Sequence, residues 1–446
     1  MTFEECFPLL MFPALLMFLL SGFPVAFILS GTALIFGVTG YYLDIFYLDD
    51  LGFIPSRIFG IVQNITLLAV PLFVFMGMML EKSGLAKELL KSVSDLFKQQ
   101  KSSLAFAVVL VGALLAASTG IVGATVVTMG VLSLPTMLEQ GYNKRIACGT
   151  IAASGTLGQI IPPSIVLVLL GDMMNVDVGD LFAGAILPGI LLVSMYLLYI
   201  GAISKWGTIT TKDSTAVITN DNEAASLRDL WVAIIPPLLL IVLVLGTILT
   251  GLASPTEASA CGAAGAILIA WFKRKLSWSK LLDTAKDTTT TTAMVFMILI
   301  GAQFFGVVFR GLSGDDTIAM IIDEMNAHPN LILFMLMTVL FGLGFFLDFL
   351  EICFIIIPII LPITLDLGFN SLWLAILIAV NLQTSFLTPP FGFSLFYLKG
   401  VAPKSIKTTD IYRGVIPFVA IQMLLLLVIA LFPDLVLWLP TTLFKS

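Results

Sequence analysis

A single histidine, His328, and four cysteines scattered through apolar runs (Cys6, Cys148, Cys261, Cys353) leave little for metal or redox chemistry. No CxxC spacing occurs, so a disulfide framework and a zinc site lose support, as does a Ser/His/Asp triad. Charge is scarce as well: 11% of residues are Asp, Glu, Lys or Arg, where soluble chains carry about a quarter. MTFEECFPLL holds two acids and no basic residue, so the cationic start of a cleavable signal peptide is missing and the first segment is expected to stay as an anchor.

What is present is apolar. Of 446 residues 59% are hydrophobic, and the mean hydropathy is +1.08. This is the profile of an all-α polytopic membrane protein. The net charge of −6 says little about partners, because in such chains the placement of Lys and Arg carries the information. No nucleic-acid partner and no organic cofactor is expected.

Inside one apolar segment lies an uncharged interruption, GTLGQIIPPSI (155–165), with a second copy, LQTSFLTPPFG (382–392). The copies belong to a longer repeat. Pro135/Pro362, Gly141/Gly368, Asn143/Asn370, Pro162/Pro389 and Pro163/Pro390 all differ by 227 positions, as do Gly84/Gly311 and Leu85/Leu312. LPTMLEQGYN (134–143) against LPITLDLGFN (361–370) is the clearest pair, and the similarity resumes after a slip of three residues at Gly184/Gly414 and of two at Pro188/Pro417.

Cytoplasmic loops are enriched in Lys and Arg. The stretch 82–101 holds five lysines and is placed inside, where its amphipathic pattern reads as an interfacial brace of the scaffold; its mate 308–328 has Arg310 against four acids and is placed outside. The loop after the first PP carries Asp172, Asp177 and Asp180, and that after the second carries Lys399, Lys404, Lys407 and Arg413. Equivalent loops thus fall on opposite sides, the charge signature of two inverted-topology repeats. With 82–101 and 139–145 on one side, 104–138 must be a re-entrant hairpin turning near 116–124, and by the same logic 331–365 turns near 341–349. Spans are expected at 59–80, 146–170, 185–204, 231–251, 256–272, 288–308, 372–398 and 415–438, while 8–42 is either two short segments or one kinked span. The expected division is 1–80 scaffold, 81–103 interfacial helix, 104–184 first transport repeat, 185–287 and 288–330 scaffold, 331–414 second transport repeat and 415–446 C-terminal helix.

Irregular backbone at membrane depth is tolerated only inside protein or along a watery cavity. Two hairpin tips and two broken helices should therefore converge, and their carbonyls suit a hard cation. Hydroxyls stand at each break: Ser118 and Thr119, Ser154 and Thr156, and Thr384, Ser385 and Thr388. Packing by small residues competes with ligation at any single one of them. Asp348, in the apolar run GLGFFLDFLEICF, reads as a cation ligand or a support of the tip, with Glu351 on the same helix face. Glu257 in SPTEASACGA reads as support of a helix end. No Lys or Arg lies at either break, so a substrate carboxylate would rest on helix ends, Gln159, Asn381, Gln383 and hydroxyls.

ASTGIVGATVVTMG, GTIAASGTLGQIIPPSIVLVLLGD, SPTEASACGA and LQTSFLTPPFGFSLFYLKG together resemble the large membrane subunit of TRAP transporters, the tripartite ATP-independent periplasmic systems. The resemblance spans nearly the whole chain. It implies a sodium-coupled, elevator-type importer of organic acids in the bacterial inner membrane, partnered by a small four-helix membrane subunit and a periplasmic substrate-binding protein, with a fold similar to the divalent anion–sodium symporters. It implies sodium sites at Ser118, Thr119 and Gly120 with Gly155, Thr156, Gly158 and Pro162, and at Gly342, Gly344 and Asp348 with Thr384, Ser385, Thr388 and Pro389. The substrate would contact Ser154, Gln159, Pro163, Asn381, Gln383 and Pro390. Where many members carry Ser-Gly-Ser-Ser at the first tip, this chain has Thr119-Gly120-Ile121-Val122, so the last two positions offer backbone carbonyls only. A stand-alone symporter needing no binding protein stays open as an alternative, as does a channel. An intramembrane enzyme lacks a paired nucleophile and base.

Overall fold

The computed structural model describes residues 2–96, 102–120, 122–206, 209 and 227–444. Among the described residues seven helices are long and apolar enough to cross a membrane, eight if the bent pair Leu48–Gln63 and Thr66–Lys82 is one span. Large apolar side chains such as Leu34, Leu198, Leu239 and Leu427 face outward, as expected where the surrounding solvent is lipid.

The first half comprises α1 (Met11–Leu19), α2 (Val25–Tyr42), α3 (Ile54–Gln63), α4 (Ala69–Lys82), α5 (Leu85–Leu96), α6 (Ser103–Thr119), α7 (Val122–Glu139), α8 (Lys144–Thr156), α9 (Ile165–Met174) and α10 (Val178–Lys205). The second comprises α11 (Leu227–Leu249), α12 (Pro255–Phe272), α13 (Trp278–Gly311), α14 (Gly314–Met325), α15 (Pro329–Leu343), α16 (Phe349–Asp366), α17 (Ser371–Leu387), α18 (Phe393–Val401), α19 (Thr408–Leu431) and α20 (Asp434–Phe444).

The repeat reappears as recurring helix starts. Val122 and Phe349 open helices 227 residues apart, and so do Lys144 and Ser371. The strongest motif has a local cause. Gly141 and Gly368 adopt φ of +78° and +82°, left-handed turns that glycine enters without steric cost. Asn143 then caps α8 by accepting from the Arg145 N–H, and Asn370 caps α17 by accepting from the Trp373 N–H. The paired Gly and Asn of GYN and GFN are therefore the stop of one helix and the start of the next.

The halves interlock. α2 packs on α13 while its counterpart α12 packs on α4; α7 packs on α18 while α16 packs on α9; α8 packs on α19 while α17 packs on α10. Each helix thus borrows its neighbour from the other repeat. Two glycines allow the closest of these approaches, since a Cβ at Gly149 on α8 would collide with the Gly414 carbonyl on α19.

Two expectations need correction, and one pair of alternatives is decided. The stretch 59–80 is not one straight span: the chain bends by 56° between Gln63 and Thr66, where Asn64 leaves the helix with an extended ψ of 107°. Residues 8–42 resolve into two segments, because Pro24 opens α2 after a turn in which Gly22 has φ +78°. The helix expected over 415–438 stops at Leu431, and α20 folds back against α10 after Pro433. Of the stretch 82–101, α5 covers Leu85–Leu96; residues 97–101 lie outside the described ones.

α5 is docked by charge. The Glu88 carboxylate takes the Lys273 ammonium at 2.8 Å and also that of Lys275, both just past α12. Burial pushes the Glu88 pKa up, but the hydrogen bonds and charges of these two lysines together outweigh it and hold the carboxyl below its usual range.

Candidate functional site

α8 ends where Pro162 and Pro163 approach. A proline removes a helix hydrogen bond and disfavours the helical region for the residue before it, and two in succession compound the effect. After Thr156 the chain makes one tight turn, Leu157–Gln159, and then runs irregularly to Ser164, whose extended backbone precedes α9. The second break has the same logic: Thr388 is extended (φ −93°, ψ 129°) before Pro389, and α18 restarts after Gly392. Both Pro-Pro bonds are cis. Every residue of α8 from Ala147 to Thr156 and of α17 from Trp373 to Leu387 is buried; the first break, 157–164, is enclosed by protein apart from a half-buried Ile161, as broken backbone requires, whereas the second opens outward at Pro390 and Phe391.

Each hairpin tip rests on its own break. At the first tip Gly120 ends α6 in a left-handed conformation, φ +61°, and a Cβ there would meet Ile165 Cγ1 at 2.9 Å, at the opening of α9. One turn earlier Ala116 abuts Gly158, where a Cβ would lie 3.0 Å from the Ala116 carbonyl oxygen. Gly155 faces Val126 of α7, and Ser154 faces Gly112 of α6. Ser118 and Thr119 sit in the last turn of α6, but their side chains lie outside the described residues, as does Ile121. At the second tip a Cβ on Gly344 would strike the Ser385 hydroxyl, whereas one on Gly342 would meet nothing within 4 Å. Phe346 and Phe349 extend the seat, their rings 5.3 and 6.3 Å from Phe391 and Phe386.

The hydroxyls share one arrangement. Ser154 donates to the Ile151 carbonyl at 3.0 Å, Thr156 to Ala153 at 2.9 Å, Thr384 to Val380 at 2.7 Å, Ser385 to Leu382 at 2.8 Å and Thr388 to Thr384 at 2.7 Å. A hydroxyl has one proton and two lone pairs. With the proton turned into the helix, the oxygen faces outward as an acceptor. Among the described residues no three of His, Cys, Asp and Glu cluster to hold a metal; the oxygens gathered here belong to hydroxyls, carbonyls and amides, the donor set of a hard monovalent cation rather than of a transition metal.

Asp348 has an evident structural role. It is the N-cap of the helix that starts at Phe349: its Oδ1 accepts the Phe349 N–H at 2.6 Å, and its own N–H reaches Glu351 Oε2 at 3.0 Å in a capping box. Glu351 is the buried half of that box. Glu257 plays the helix-end part expected of it, accepting the Ser254 N–H and hydroxyl at 2.8 Å each.

The amides divide. Asn381 donates to the Met337 carbonyl on α15 at 2.8 Å, so it ties the second break to the hairpin arm. Gln383 donates to Thr156 Oγ1 at 3.5 Å and joins the two breaks. Gln159 is fully buried with neither amide atom bonded among the described residues, and Gln383 Oε1 is likewise unpartnered there. Such groups cost about 1–3 kcal/mol each when left dry, so they mark where a polar guest is welcome. Pro162 and Pro163 are buried; Pro390 is exposed, its carbonyl taken by the Tyr412 hydroxyl at 2.7 Å.

Two residues escaped the sequence reading. Gln422 on α19 donates to Thr156 Oγ1 at 3.4 Å and to the Tyr196 hydroxyl on α10 at 2.7 Å, and both partners are fully buried. A signal existed: Gln422 is the sole polar side chain from Val415 to Leu431, and a polar group within such a run is costly enough to be purposeful.

Residues 12–435 match the family model described as "Tripartite ATP-independent periplasmic transporter, DctM component". Among curated relatives, the C4-dicarboxylate TRAP transporter large permease protein DctM of Pseudomonas aeruginosa is 30% identical over 89% of this chain and 91% of its own. The isethionate TRAP transporter permease protein DctMQ of Oleidesulfovibrio alaskensis is 30% identical over 94% of the chain, which spans only 64% of that relative's length. The sialic acid TRAP transporter large permease protein SiaM of Vibrio cholerae is 26% identical, covering 95% and 96%. In fold, the chain superposes on the YdaH transporter of Alcanivorax borkumensis with a TM-score of 0.61, covering 86% and 87% of the two chains at 13% identity.

Proposed function

Because the chain belongs to the DctM component family of tripartite ATP-independent periplasmic transporters, we propose that it is the permease subunit of a sodium-coupled importer of a small organic acid. The observation that carries the reading is the seating of two hairpin tips on two broken helices, joined by the Gln383–Thr156 bond and supplied with oxygen ligands and amide donors. Sodium is a co-substrate. One ion would lie between the first tip (Ser118, Thr119, Gly120) and Gly155, Thr156, Gly158 and Pro162; another between the second tip (Gly342, Gly344, Asp348) and Thr384, Ser385, Thr388 and Pro389. The carboxylate would rest among Ser154, Gln159, Pro163, Asn381, Gln383 and Pro390, its charge offset by the two ions and by helix N-termini rather than by Lys or Arg.

The hairpins and broken helices would travel together as an elevator past the remaining helices. Loading occurs from a periplasmic binding protein, with a small membrane subunit bracing the scaffold in the inner membrane. The named relatives handle isethionate, C4-dicarboxylates and sialic acid, and all of these are organic acids. Uptake in proteoliposomes holding both partners tests the proposal. Replacing sodium by potassium should abolish uptake, and persistence would end the coupling claim; uptake without the binding protein would instead indicate a stand-alone symporter.

A further inference from the structure

We propose that Gln422 is a positioning residue that makes the Thr156 hydroxyl an exchange point between the cation and the carboxylate. This rests on the sodium-coupled reading above. Thr156 Oγ1 gives its proton to the Ala153 carbonyl at 2.9 Å and receives amide N–H groups from both Gln383 (3.5 Å) and Gln422 (3.4 Å). One proton and two lone pairs are a hydroxyl's whole capacity. In this arrangement the oxygen is saturated, so a sodium ion can take it only if one amide lets go.

The second anchor of Gln422 decides which amide leaves, since the two contacts to Thr156 are nearly equal in length. Gln422 is anchored a second time, at 2.7 Å to Tyr196, whose ring is held edge-on to Phe418 with centroids 5.1 Å apart. Among the described residues Gln383 has no other bond through its amide nitrogen, and its Oε1 is unpartnered. Its 3.5 Å contact is at the limit of a hydrogen bond. A cation at Thr156 therefore displaces Gln383, whose freed N–H becomes a donor for the carboxylate at the second break. Sodium at the first break prepares the substrate contact of the second, and Gln422 keeps Thr156 in place for both states. Core packing alone does not account for Gln422, because its own Oε1 is buried without a partner and leucine would fill the site at no polar cost.

The complete transporter in proteoliposomes, with both partners, is titrated with sodium at fixed substrate. Gln422→Leu leaves a lone pair of Thr156 open, so sodium enters without displacing Gln383 and the half-saturating sodium concentration should fall about three- to tenfold, the worth of one hydrogen bond. Tyr196→Phe, which removes only the anchoring hydroxyl, should shift it in the same direction by less, and serves if Gln422→Leu does not fold. Combining Gln422→Leu with Thr156→Val should add nothing to Thr156→Val alone. Sodium-independent uptake by the unaltered transporter would sink the functional reading itself. Sodium-dependent uptake with unshifted half-saturation in both variants, or multiplicative effects in the double variant, would overturn the exchange point alone.

Discussion

The Gln383 amide donates to the Thr156 hydroxyl at 3.5 Å across 227 positions of sequence, the same spacing that relates the two repeats. Equivalent positions therefore touch, and the pseudo-symmetry relating the halves runs between them. Position 156 supplies a small acceptor and position 383 a longer donor. The repeats have diverged at their point of contact into two chemistries that complete one another.

Gly344 and Gly342 lie two residues apart at the second tip and should respond oppositely. Gly344→Ala forces a methyl group against Ser385, an overpacking worth about 1–3 kcal/mol, and should lower uptake at least tenfold while lowering the unfolding temperature. Gly342→Ala meets open space and should leave both unchanged. Parallel uptake and thermal-unfolding measurements check the pair.

Asp348 can be separated into cap and charge. Asn keeps the oxygen that accepts the Phe349 N–H, so Asp348→Asn should preserve stability, while Asp348→Ala should cost about 1 kcal/mol, as lost N-caps do. If the carboxylate also helps hold sodium, both variants raise the half-saturating sodium concentration. Equal sodium dependence in Asn and wild type would assign Asp348 to capping alone.

Asn64 holds the bend between α3 and α4 against α9: its Nδ2 donates to Asp172 Oδ1 at 2.5 Å while its Oδ1 accepts the Thr66 N–H at 2.9 Å. Asn64→Ala should lower stability by about 1–3 kcal/mol, the cost of orphaning a part-buried partner. Asn64→Asp, which sets two carboxylates together, should be worse at neutral pH and should recover on acidification, since a proton relieves like charges. Thermal unfolding against pH reads both.

Docking of α5 should loosen in acid. The folded Glu88 carboxyl is held below the ordinary 4.5 by Lys273 and Lys275, so the stability it contributes is present above pH 4.5 and is lost as the pH falls through the lowered value. The side chain is 39% exposed, which limits each bridge to about 0.2–1 kcal/mol. Protection factors in 85–96, taken against the intrinsic exchange rate at each pH, should fall on acidification in wild type, and Glu88→Gln should show the lower protection already at neutral pH.

Much of the architecture could be read before any coordinates. The repeat register is carried by turn chemistry that only certain residues perform: Gly141 and Gly368 for the left-handed stop, Asn143 and Asn370 for the cap, paired prolines for the breaks. The turns expected within 116–124 and 341–349 followed from where the charges fall and from the repeat register, and the helices end there at Thr119 and Leu343. Such features are local, and local sequence suffices for them.

Contacts between distant segments were beyond that reading. A PP motif announces a break without saying what the break rests on, and hydropathy cannot distinguish a bent helix at 63–66 from a straight one. Asp348, readable from the apolar run as a cation ligand or a support of the tip, takes the support part through a capping box with Glu351 that depends on a backbone turn at Asp348.

The sequence alone determined that the chain is a two-fold repeated membrane protein with paired helix breaks, because helix propagation, proline exclusion and charge placement are decided within a few residues. Only the tertiary structure decided that Thr156, Gln383, Gln422 and Tyr196 meet. Their helices pack through apolar faces with almost no register signal of their own, so the register emerges only when glycine contacts such as Gly149–Gly414 bring those faces together and the buried amides settle on the few acceptors within reach.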